Sequence, residues 1–284
     1  MLEGKKAKEL SLLLGTGVSA EQVVLSHSPF QAEAERFAND RVLVLGCREV
    51  SAVAKAYGFR RPVTAEMLAL DEPSRYPFFN FQRRTLADRN DPIKAVFIMH
   101  DPVHWALDLQ VTLDAIRGGD PIGSGSAQSI PVFASNPDMV FAGVHPVPRL
   151  ACGAFQSCLS HLFEELTGRE LEMTKVGKPL KRTFDFAERT LSKWGGLPSN
   201  SFDRIFMVGD NPRADIRGAN MAGEPWESIL VRTGVFSGPE GSNDRVDPGK
   251  HLVQGIGEAC ELVVKSHQER NEMMMTRDGS AGVR

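Results

Sequence analysis

The sequence predicts an α/β fold in which helices cover a mainly parallel sheet. Short apolar runs alternate with segments of helical periodicity along much of the chain, and this alternation is typical of strands joined by crossover helices. The chain has 284 residues, of which 42% are hydrophobic and 24% are charged. Such a length and composition suffice for one large domain or for two domains of ordinary size.

The first predicted elements are a helix over residues 5–14 that ends at Gly15 and an apolar strand over residues 23–25. Residues 71–93 combine proline, aromatic and charged residues without regular periodicity, which predicts a long surface loop. The remaining predicted strands cover residues 41–45, 94–99, 130–134, 171–176, 205–208 and a run that begins at Ile229. The remaining predicted helices cover residues 29–38, 50–57, 107–116, 152–166, 183–194 and 252–265.

The overall charge and the cysteines exclude several classes of protein. The net charge of −3 provides no basic field that would attract nucleic acid, so no nucleic-acid partner is expected. No apolar run approaches the roughly 18 to 20 residues of a membrane span. The four cysteines form no CxxC pair, which favours free thiols in a reducing compartment over disulfides or zinc ligands.

The stretch from Ile205 to Phe236 is the most informative part of the sequence. Its first strand ends at Gly209-Asp210, after which Asn211 is a good N-cap, Pro212 suits the first position of a helix, and Asp215 falls in the first turn. Side chains tilt toward the start of a helix, so we expect Asp215 to lean back toward Asp210. Two carboxylates in one small space favour a cation between them, and oxygen ligands of this kind suit Mg²⁺.

A simpler interpretation of the same two residues remains open at this point. Asp215 would only interact with the helix dipole, and Asp210 would only cap a turn. The spacing of the two residues does not distinguish these interpretations.

Lys178 is the third candidate site residue. It lies between Gly177 and Pro179, where a predicted strand passes into a predicted helix. In this position it cannot lie along a helix surface as an ordinary lysine does. A fixed ammonium near two carboxylates would keep a nucleophilic acid ionised and would neutralise charge on a transferring phosphoryl group. The alternative is a loop lysine in water.

The strand over residues 130–134 leads into the polar turn Ser135-Asn136-Pro137-Asp138. A strand whose carboxyl end opens into such a turn is typical of a pocket wall, so Asn136 and Asp138 are substrate-side candidates. Asn-Pro-Asp is also a good turn without further function.

Several motifs resemble those of the haloacid dehalogenase (HAD) superfamily, subfamily IIA. The combination consists of GKP at residues 177–179, VGDNPRADIRGAN at residues 208–220 and ILVRTGVF at residues 229–236. VFASNPDMVFAG, GAFQSCLSHLFEELTGREL and FIMHDPVHWALDLQ look most similar to the branch that contains the cat eye syndrome critical region protein and its fungal mitochondrial relatives. The resemblance covers residues 1 to about 265.

The resemblance implies a Rossmann-like core with an inserted C2-type α/β cap. The core would comprise residues 1–39 and 171–265, the cap residues 40–170, and residues 266–284 would form a disordered tail. The implied reaction is phosphoryl transfer through an aspartyl phosphate with Mg²⁺, on a small phosphorylated substrate.

Site residues follow from the resemblance by position. Lys178 matches the lysine of the third motif, which steadies the nucleophile and the phosphate. Asp210 matches the magnesium ligand of the fourth motif, and Asp215 matches the second acid that holds the metal or its waters. Asn136 and Asp138 match more loosely as substrate-binding residues, and Asn211, beside Asp210, is a further substrate-binding candidate.

The sequence departs from the family pattern in one respect. The family's nucleophile and its acid/base come from a DxDG motif at the end of the first core strand, followed by a strand that ends in Ser or Thr. No DxD occurs before Lys178 in the 284 residues. We therefore expect that the first core strands are missing, that the chain is N-terminally truncated and that it is inactive by itself, since no covalent intermediate forms without the nucleophile.

Two hypotheses follow from this departure. In the first, the complete gene product is an Mg²⁺-dependent phosphatase and Met1 is an internal methionine. In the second, the chain is a genuine product without catalysis that acts as a binding or interaction module.

The fungal relatives also imply a mitochondrial location and a link to glycerophospholipid metabolism for the full-length protein. No targeting segment is visible in the first residues, MLEGKKAKELS, and without one a cytoplasmic location is expected. A homodimer formed through the cap is compatible with the resemblance.

Overall fold

The computed structural model describes all residues except 48, 72, 73, 75, 79–90, 142, 199, 200, 237 and 281–284. The chain forms two compact units, Met1–Gly177 and Lys178–Arg284. Each unit contains its own parallel sheet, and each is described by itself below.

The first unit is built on a five-stranded parallel sheet. Its strands are β1 (Arg41–Leu45), β2 (Arg61–Val63), β3 (Ala95–Ile98), β4 (Val132–Ala134) and β7 (Met173–Lys175). Their spatial order is β2-β1-β3-β4-β7, with every neighbouring pair parallel. This order is that of a doubly wound sheet, in which the chain connections reverse direction between β1 and β3.

Alternate residues of the central strands enter two separate hydrophobic clusters. Leu43 and Ile98 belong to the cluster that also contains residues of the helices over 65–71, 105–117 and 152–167. Phe97 and Phe133 belong to the opposite cluster, which includes Phe30 and other residues from the N-terminal side of the unit. Phe97 and Phe133 are register partners and stack with ring centroids 4.7 Å apart. The sheet is therefore covered on both faces, as parallel sheets generally are.

Among the described residues, six α-helices and one small hairpin complete the first unit. The helices are α1 (Glu3–Leu14), α2 (Gln31–Ala34), α3 (Val50–Tyr57), α4 (Ala65–Asp71), α5 (Trp105–Arg117) and α6 (Cys152–Thr167). The hairpin pairs β5 (Val140–Phe141) with β6 (Arg149–Leu150) in antiparallel register. As predicted, α1 ends where Gly15 adopts the left-handed conformation that glycine accepts without a steric penalty.

The second unit contains a three-stranded parallel sheet in the order β10-β9-β8. Its strands are β8 (Ile205–Gly209), β9 (Trp226–Val231) and β10 (His251–Val253), and its helices are α7 (Lys181–Gly195), α8 (Arg217–Ala222) and α9 (Ile256–Ser280). One side of the sheet packs Ile229 against Ala259 of α9, and the other packs Leu230 against Ile216. Within the described part of the chain, no strand pairs with the free edge of β8.

The predicted α/β class with a parallel sheet is confirmed, and several local predictions are corrected. Residues 23–25 form no strand, because the Leu25 amide is bound by the Ser28 hydroxyl at 2.7 Å and the chain turns there. The helix predicted over residues 29–38 is reduced to a short 3₁₀ turn and α2. Most of the loop predicted over residues 71–93 lies outside the described residues.

The C-terminal region also differs from the prediction. The strand β10 precedes α9, whereas the sequence predicts a helix from residue 252. The helix α9 runs from Ile256 to Ser280, and the disordered tail expected over residues 266–284 stays a prediction. No proline interrupts this segment, and its Lys, Glu, Gln, Met and Arg residues favour helix.

The boundary between the two units falls at residue 177, and residues 1–39 belong to the same unit as residues 40–170. The strand β7 joins the sheet of the first unit through its parallel pairing with β4. The division into a core of residues 1–39 and 171–265 and a cap of residues 40–170 stays a prediction. Among the described residues, no helix is both long enough and apolar enough to cross a lipid bilayer.

A buried polar network ties the start of α1 to α3 in the first unit. His27 is only 2% exposed, and its Nδ1 lies 2.7 Å from the Tyr57 hydroxyl. That hydroxyl donates to Glu3 Oε1 at 2.6 Å, so the hydrogen between His27 and Tyr57 belongs to the imidazole Nδ1. Ser28 Oγ also donates to the same carboxylate oxygen at 2.6 Å. Burial lowers the pKa of His27 from its ordinary 6.5 to about 4.

We expect this histidine to make the first unit sensitive to mild acid. Because the pKa of His27 is lower in the folded protein, its stabilising contribution is complete above pH 6.5 and is lost as the pH falls toward 4. The loss amounts to about 3 kcal/mol over this range, at about 1.4 kcal/mol per pKa unit. Urea unfolding at several pH values between 7 and 4 measures it.

The matched comparison uses His27→Gln and His161→Gln, since His161 is exposed on α6. The His27→Gln variant should lose less stability between pH 6.5 and 4 than the wild type, and His161→Gln should behave as the wild type does. Equal pH dependence in all three proteins would contradict the role given to His27.

Candidate functional site

The candidate site is built at the carboxyl end of β8. Asp210 follows the last residue of this strand, and the Asn211 side chain accepts a hydrogen bond from the Arg213 amide at 3.1 Å. A wide helical turn of π type, Pro212–Ile216, begins directly afterwards and continues into α8. The predicted N-cap at Asn211 and the predicted helix start at Pro212 are confirmed.

Lys178 and Asp215 lie together at this end of the sheet. Lys178 Nζ donates to Asp215 Oδ1 at 2.5 Å. The Asp215 side chain is only 6% exposed, whereas that of Lys178 is 49% exposed. A buried carboxylate requires a partner of opposite charge, and the half-exposed ammonium supplies it while still facing solvent.

Asp215 also lies against the backbone that flanks Asp210. The Asn211 amide donates to Asp215 Oδ2 at 3.2 Å. A Cβ atom built on Gly209 would lie 2.5 Å from this same oxygen, which is closer than real Cβ atoms approach. The absence of a side chain at residue 209 therefore lets Asp215 reach the end of β8 beside Asp210.

Asp210 is held by the turn that follows β9. The Val235 amide donates to Asp210 Oδ2 at 2.7 Å, and the Phe236 amide donates to the Asp210 carbonyl oxygen at 3.0 Å. Among the described residues, Oδ1 of Asp210 has no hydrogen-bond partner. This oxygen is therefore the less engaged of the two and the better placed to accept a cation or water.

The donor set fits a hard divalent cation that keeps several waters. Among the described residues, no cluster of three or more His, Cys, Asp or Glu side chains is arranged to hold a metal. Mg²⁺ is commonly bound through one or two carboxylates, with waters and substrate phosphate as the other ligands. Asp210 Oδ1 fits a direct ligand, whereas both oxygens of Asp215 already accept hydrogen bonds and fit contact through water.

Asn211 has a structural role in the described geometry. Its side chain caps the following helical turn, and its carbonyl oxygen accepts the amides of Ala214 and Asp215 at 3.2 and 2.8 Å. The predicted substrate contact of Asn211 is not tested by these bonds and stays a prediction.

Asn136 and Asp138 lie in the first unit, in the turn that follows β4. Asn136 has a φ of 53°, and its amide lies 2.8 Å from a Cβ built on Gly177. The Asp138 carbonyl accepts the Gly153 amide at 2.8 Å, which ties the turn to the start of α6. The substrate-binding role of both residues stays a prediction.

Sequence reasoning missed the residue that holds this turn. Gln156 is 2% exposed, and its Nε2 donates to the carbonyl oxygens of Ser135 at 2.8 Å and Asn136 at 3.3 Å. The only signal in the sequence is a polar residue on the apolar face of a predicted helix, since a buried amide needs hydrogen-bond partners.

Comparisons with known proteins agree with these features. A family model described as HAD-hydrolase-like matches residues 175–259, which include Lys178, Asp210 and Asp215. The cardiolipin synthase (CMP-forming)/mitochondrial hydrolase fusion protein of Schizosaccharomyces pombe is 36% identical over 94% of this chain. The chain spans only 46% of that protein's length.

A mitochondrial hydrolase of Saccharomyces cerevisiae is 31% identical over 83% of this chain and 75% of its own length. Among solved structures, the 4-nitrophenylphosphatase of Thermotoga maritima matches with a TM-score of 0.61 and 20% identity, covering 92% of this chain and 80% of that one. This structural match supports a Rossmann-like HAD fold with a cap. The chain belongs to the haloacid dehalogenase-like hydrolases, in the group that contains the fungal mitochondrial hydrolases.

Proposed function

We propose that this chain supplies the phosphate-binding and metal-binding half of an Mg²⁺-dependent phosphatase site. The observation that carries the proposal is the Lys178–Asp215 pair beside Asp210 at the carboxyl end of β8. Phosphatases of this superfamily generally use a divalent metal ion, and the oxygen ligands available here favour Mg²⁺. The substrate class is a small phosphate monoester.

Each residue has a distinct task in this proposal. The Lys178 ammonium neutralises charge on the phosphoryl oxygens, and its bond to Asp215 keeps it at the sheet edge. Asp210 would hold the metal through Oδ1, and Asp215 would orient the waters around it. The bound metal would supply further stabilisation of negative charge on the transferring phosphoryl group.

One relative supports a narrower class of substrate. The S. pombe protein carries cardiolipin synthase and hydrolase parts in a single chain. We take this fusion as support for a substrate from glycerophospholipid metabolism, with a phosphate monoester on a glycerol unit. Asn136, Asp138 and Asn211 are proposed substrate contacts.

A mitochondrial location and a homodimer through residues 40–170 belong to the same proposal. Imaging of a C-terminally tagged protein tests the location, and light scattering tests the homodimer.

The 284 residues by themselves should show no phosphatase turnover. They contain no DxD motif, and without the nucleophilic aspartate no aspartyl phosphate forms. The measurement is release of p-nitrophenol from p-nitrophenyl phosphate by the purified chain with Mg²⁺. A longer product of the same gene that contains a DxD strand should be active under the same conditions. Its rates with glycerol 3-phosphate, a sugar phosphate and a nucleoside monophosphate would then show which class of substrate it prefers.

Turnover by the 284-residue chain that disappears in Lys178→Ala would contradict this expectation. The absence of turnover together with cooperative unfolding, and with no active longer product, would instead favour the second candidate. That candidate is a non-catalytic binding module, and the missing DxD motif is the observation that favours it.

Asp210 should dominate binding of a divalent cation. Because it is the proposed direct ligand, Asp210→Asn should weaken binding of Mn²⁺, used as a probe for Mg²⁺, by at least about tenfold, the change that about 1.4 kcal/mol produces. Isothermal titration of the metal-free chain measures this change. Asp185→Asn is the matched control, since Asp185 is partly exposed on α7 and pairs only with Lys181 among the described residues. If both variants weaken Mn²⁺ binding equally, the effect comes from the loss of negative charge in general, and the role of Asp210 as a direct ligand is contradicted.

Lys178 should contribute to phosphate binding in addition to its pairing with the buried Asp215 carboxylate. In the presence of Mg²⁺, Lys178→Met should weaken binding of inorganic phosphate by about 10-fold to 150-fold, because charge-assisted hydrogen bonds contribute about 1.5–3 kcal/mol. Lys181→Met, three residues away in sequence, should leave phosphate binding unchanged. If both variants bind phosphate as the wild type does, the phosphate role of Lys178 is wrong.

A further inference from the structure

The turn after β9 makes an unusually close approach to Asp210. A Cβ atom built on Gly234 would lie 2.0 Å from Asp210 Oδ2, 2.6 Å from Cγ and 2.8 Å from Cβ. Real Cβ atoms do not approach other heavy atoms this closely, so any side chain at residue 234 must displace the carboxylate or the turn. The backbone of Gly234 does not adopt a left-handed conformation. A side chain at residue 234 would therefore conflict with the Asp210 carboxylate and not with the local backbone conformation.

The same turn also holds the carboxylate directly. The Val235 amide donates to Asp210 Oδ2 at 2.7 Å, although the Val235 side chain is exposed. The next amide, that of Phe236, donates to the Asp210 carbonyl oxygen. Two consecutive amides thus hold one residue by its side chain and its backbone.

The turn is anchored on both sides of Gly234. Phe236 is buried in the cluster that contains Ile216 and Leu230. The Arg232 guanidinium lies over the Phe236 ring at 5.3 Å and donates to the carbonyl oxygens of Pro239 and Ser242 at 2.9 and 3.0 Å. Because these contacts hold the turn in place, added bulk at residue 234 displaces the Asp210 carboxylate rather than the turn.

We propose that the Gly234–Val235 peptide is a positioning element for Asp210. It engages Oδ2 and leaves Oδ1, which has no hydrogen bond to the described residues, turned toward the proposed divalent cation. Gly234 and Val235 act through Asp210 and touch neither metal nor substrate. This inference rests on the proposed metal-binding role of Asp210.

The test is Gly234→Ala, assayed for Mn²⁺ binding by isothermal titration and for thermal unfolding without metal. Changes in residues that orient a metal ligand typically weaken metal binding by about 10-fold to 100-fold, and we expect a loss in this range. The unfolding midpoint should stay close to that of the wild type. Gly257→Ala is the matched control, since a Cβ there meets no atom within 4 Å, and it should bind Mn²⁺ as the wild type does.

A second measurement does not depend on the stability of Gly234→Ala. In the NMR spectrum of the metal-free chain, the Val235 amide should exchange slowly with solvent despite its exposed position. Asp210→Ala should remove this protection. Fast exchange of this amide in the wild type would overturn the proposal even if Gly234→Ala fails to fold.

The outcomes separate this inference from the proposed function. If the wild type binds Mn²⁺ and Gly234→Ala binds it with equal affinity, the positioning role is overturned and the metal role of Asp210 stays intact. No Mn²⁺ binding by the wild-type chain overturns the metal role and this inference with it.

Discussion

The pairing of Lys178 with the buried carboxylate of Asp215 is the interaction on which the candidate site depends. Asp215 is nearly inaccessible to water, so its charge is tolerated only because Lys178 and the Asn211 amide both bind it. These bonds connect three parts of the chain, namely the segment before α7, the end of β8 and the helical turn that follows. The pair therefore determines where the ammonium lies relative to Asp210, and the chemistry proposed for the site follows from this arrangement.

A second constraint comes from the composition of β8. Its residues Ile205 to Val208 form a continuous apolar run, which is typical of a strand with neighbours on both sides in a parallel sheet. In the described part of the chain β8 pairs only with β9, and Phe206, Met207 and Val208 are only partly buried. A further parallel strand at this edge would bury these side chains. Because parallel strands present their carboxyl ends at the same edge, its carboxyl end would lie beside Asp210.

The sequence was sufficient to predict the α/β class and the positions of most long elements. The strand at residues 41–45 and the helices at residues 50–57 and 152–166 were predicted to within about a residue, because their apolar periodicity continues over their whole length. The prediction at residues 23–25 was wrong because three apolar residues are too few to distinguish a strand from an extended turn. The strand β10 was missed because its apolar residues merge with the start of a helical pattern.

The candidate site was predictable to the extent that it consists of charged side chains at the ends of elements. Asp215 was expected near Asp210 from its place in the first helical turn, and Lys178 from its place between glycine and proline. The direct contact between Lys178 and Asp215 joins residues 37 apart in sequence, and such a contact depends on tertiary packing that local spacing does not describe. Gln156 was missed for a similar reason, because its partners are carbonyl groups and carbonyl groups leave no pattern in a sequence.

Two glycines of the site have a role that the pattern of side chains in the sequence does not predict. Gly209 lies against Asp215 and Gly234 lies against Asp210, and neither has a left-handed backbone that would explain the choice of glycine. Each is required because a carboxylate occupies the volume that a Cβ atom would fill. In this site the two acids approach the sheet edge closely because the backbone beside each of them carries no side chain. The positions of the two carboxylates at the sheet edge therefore depend on the two glycines as well as on the two aspartates.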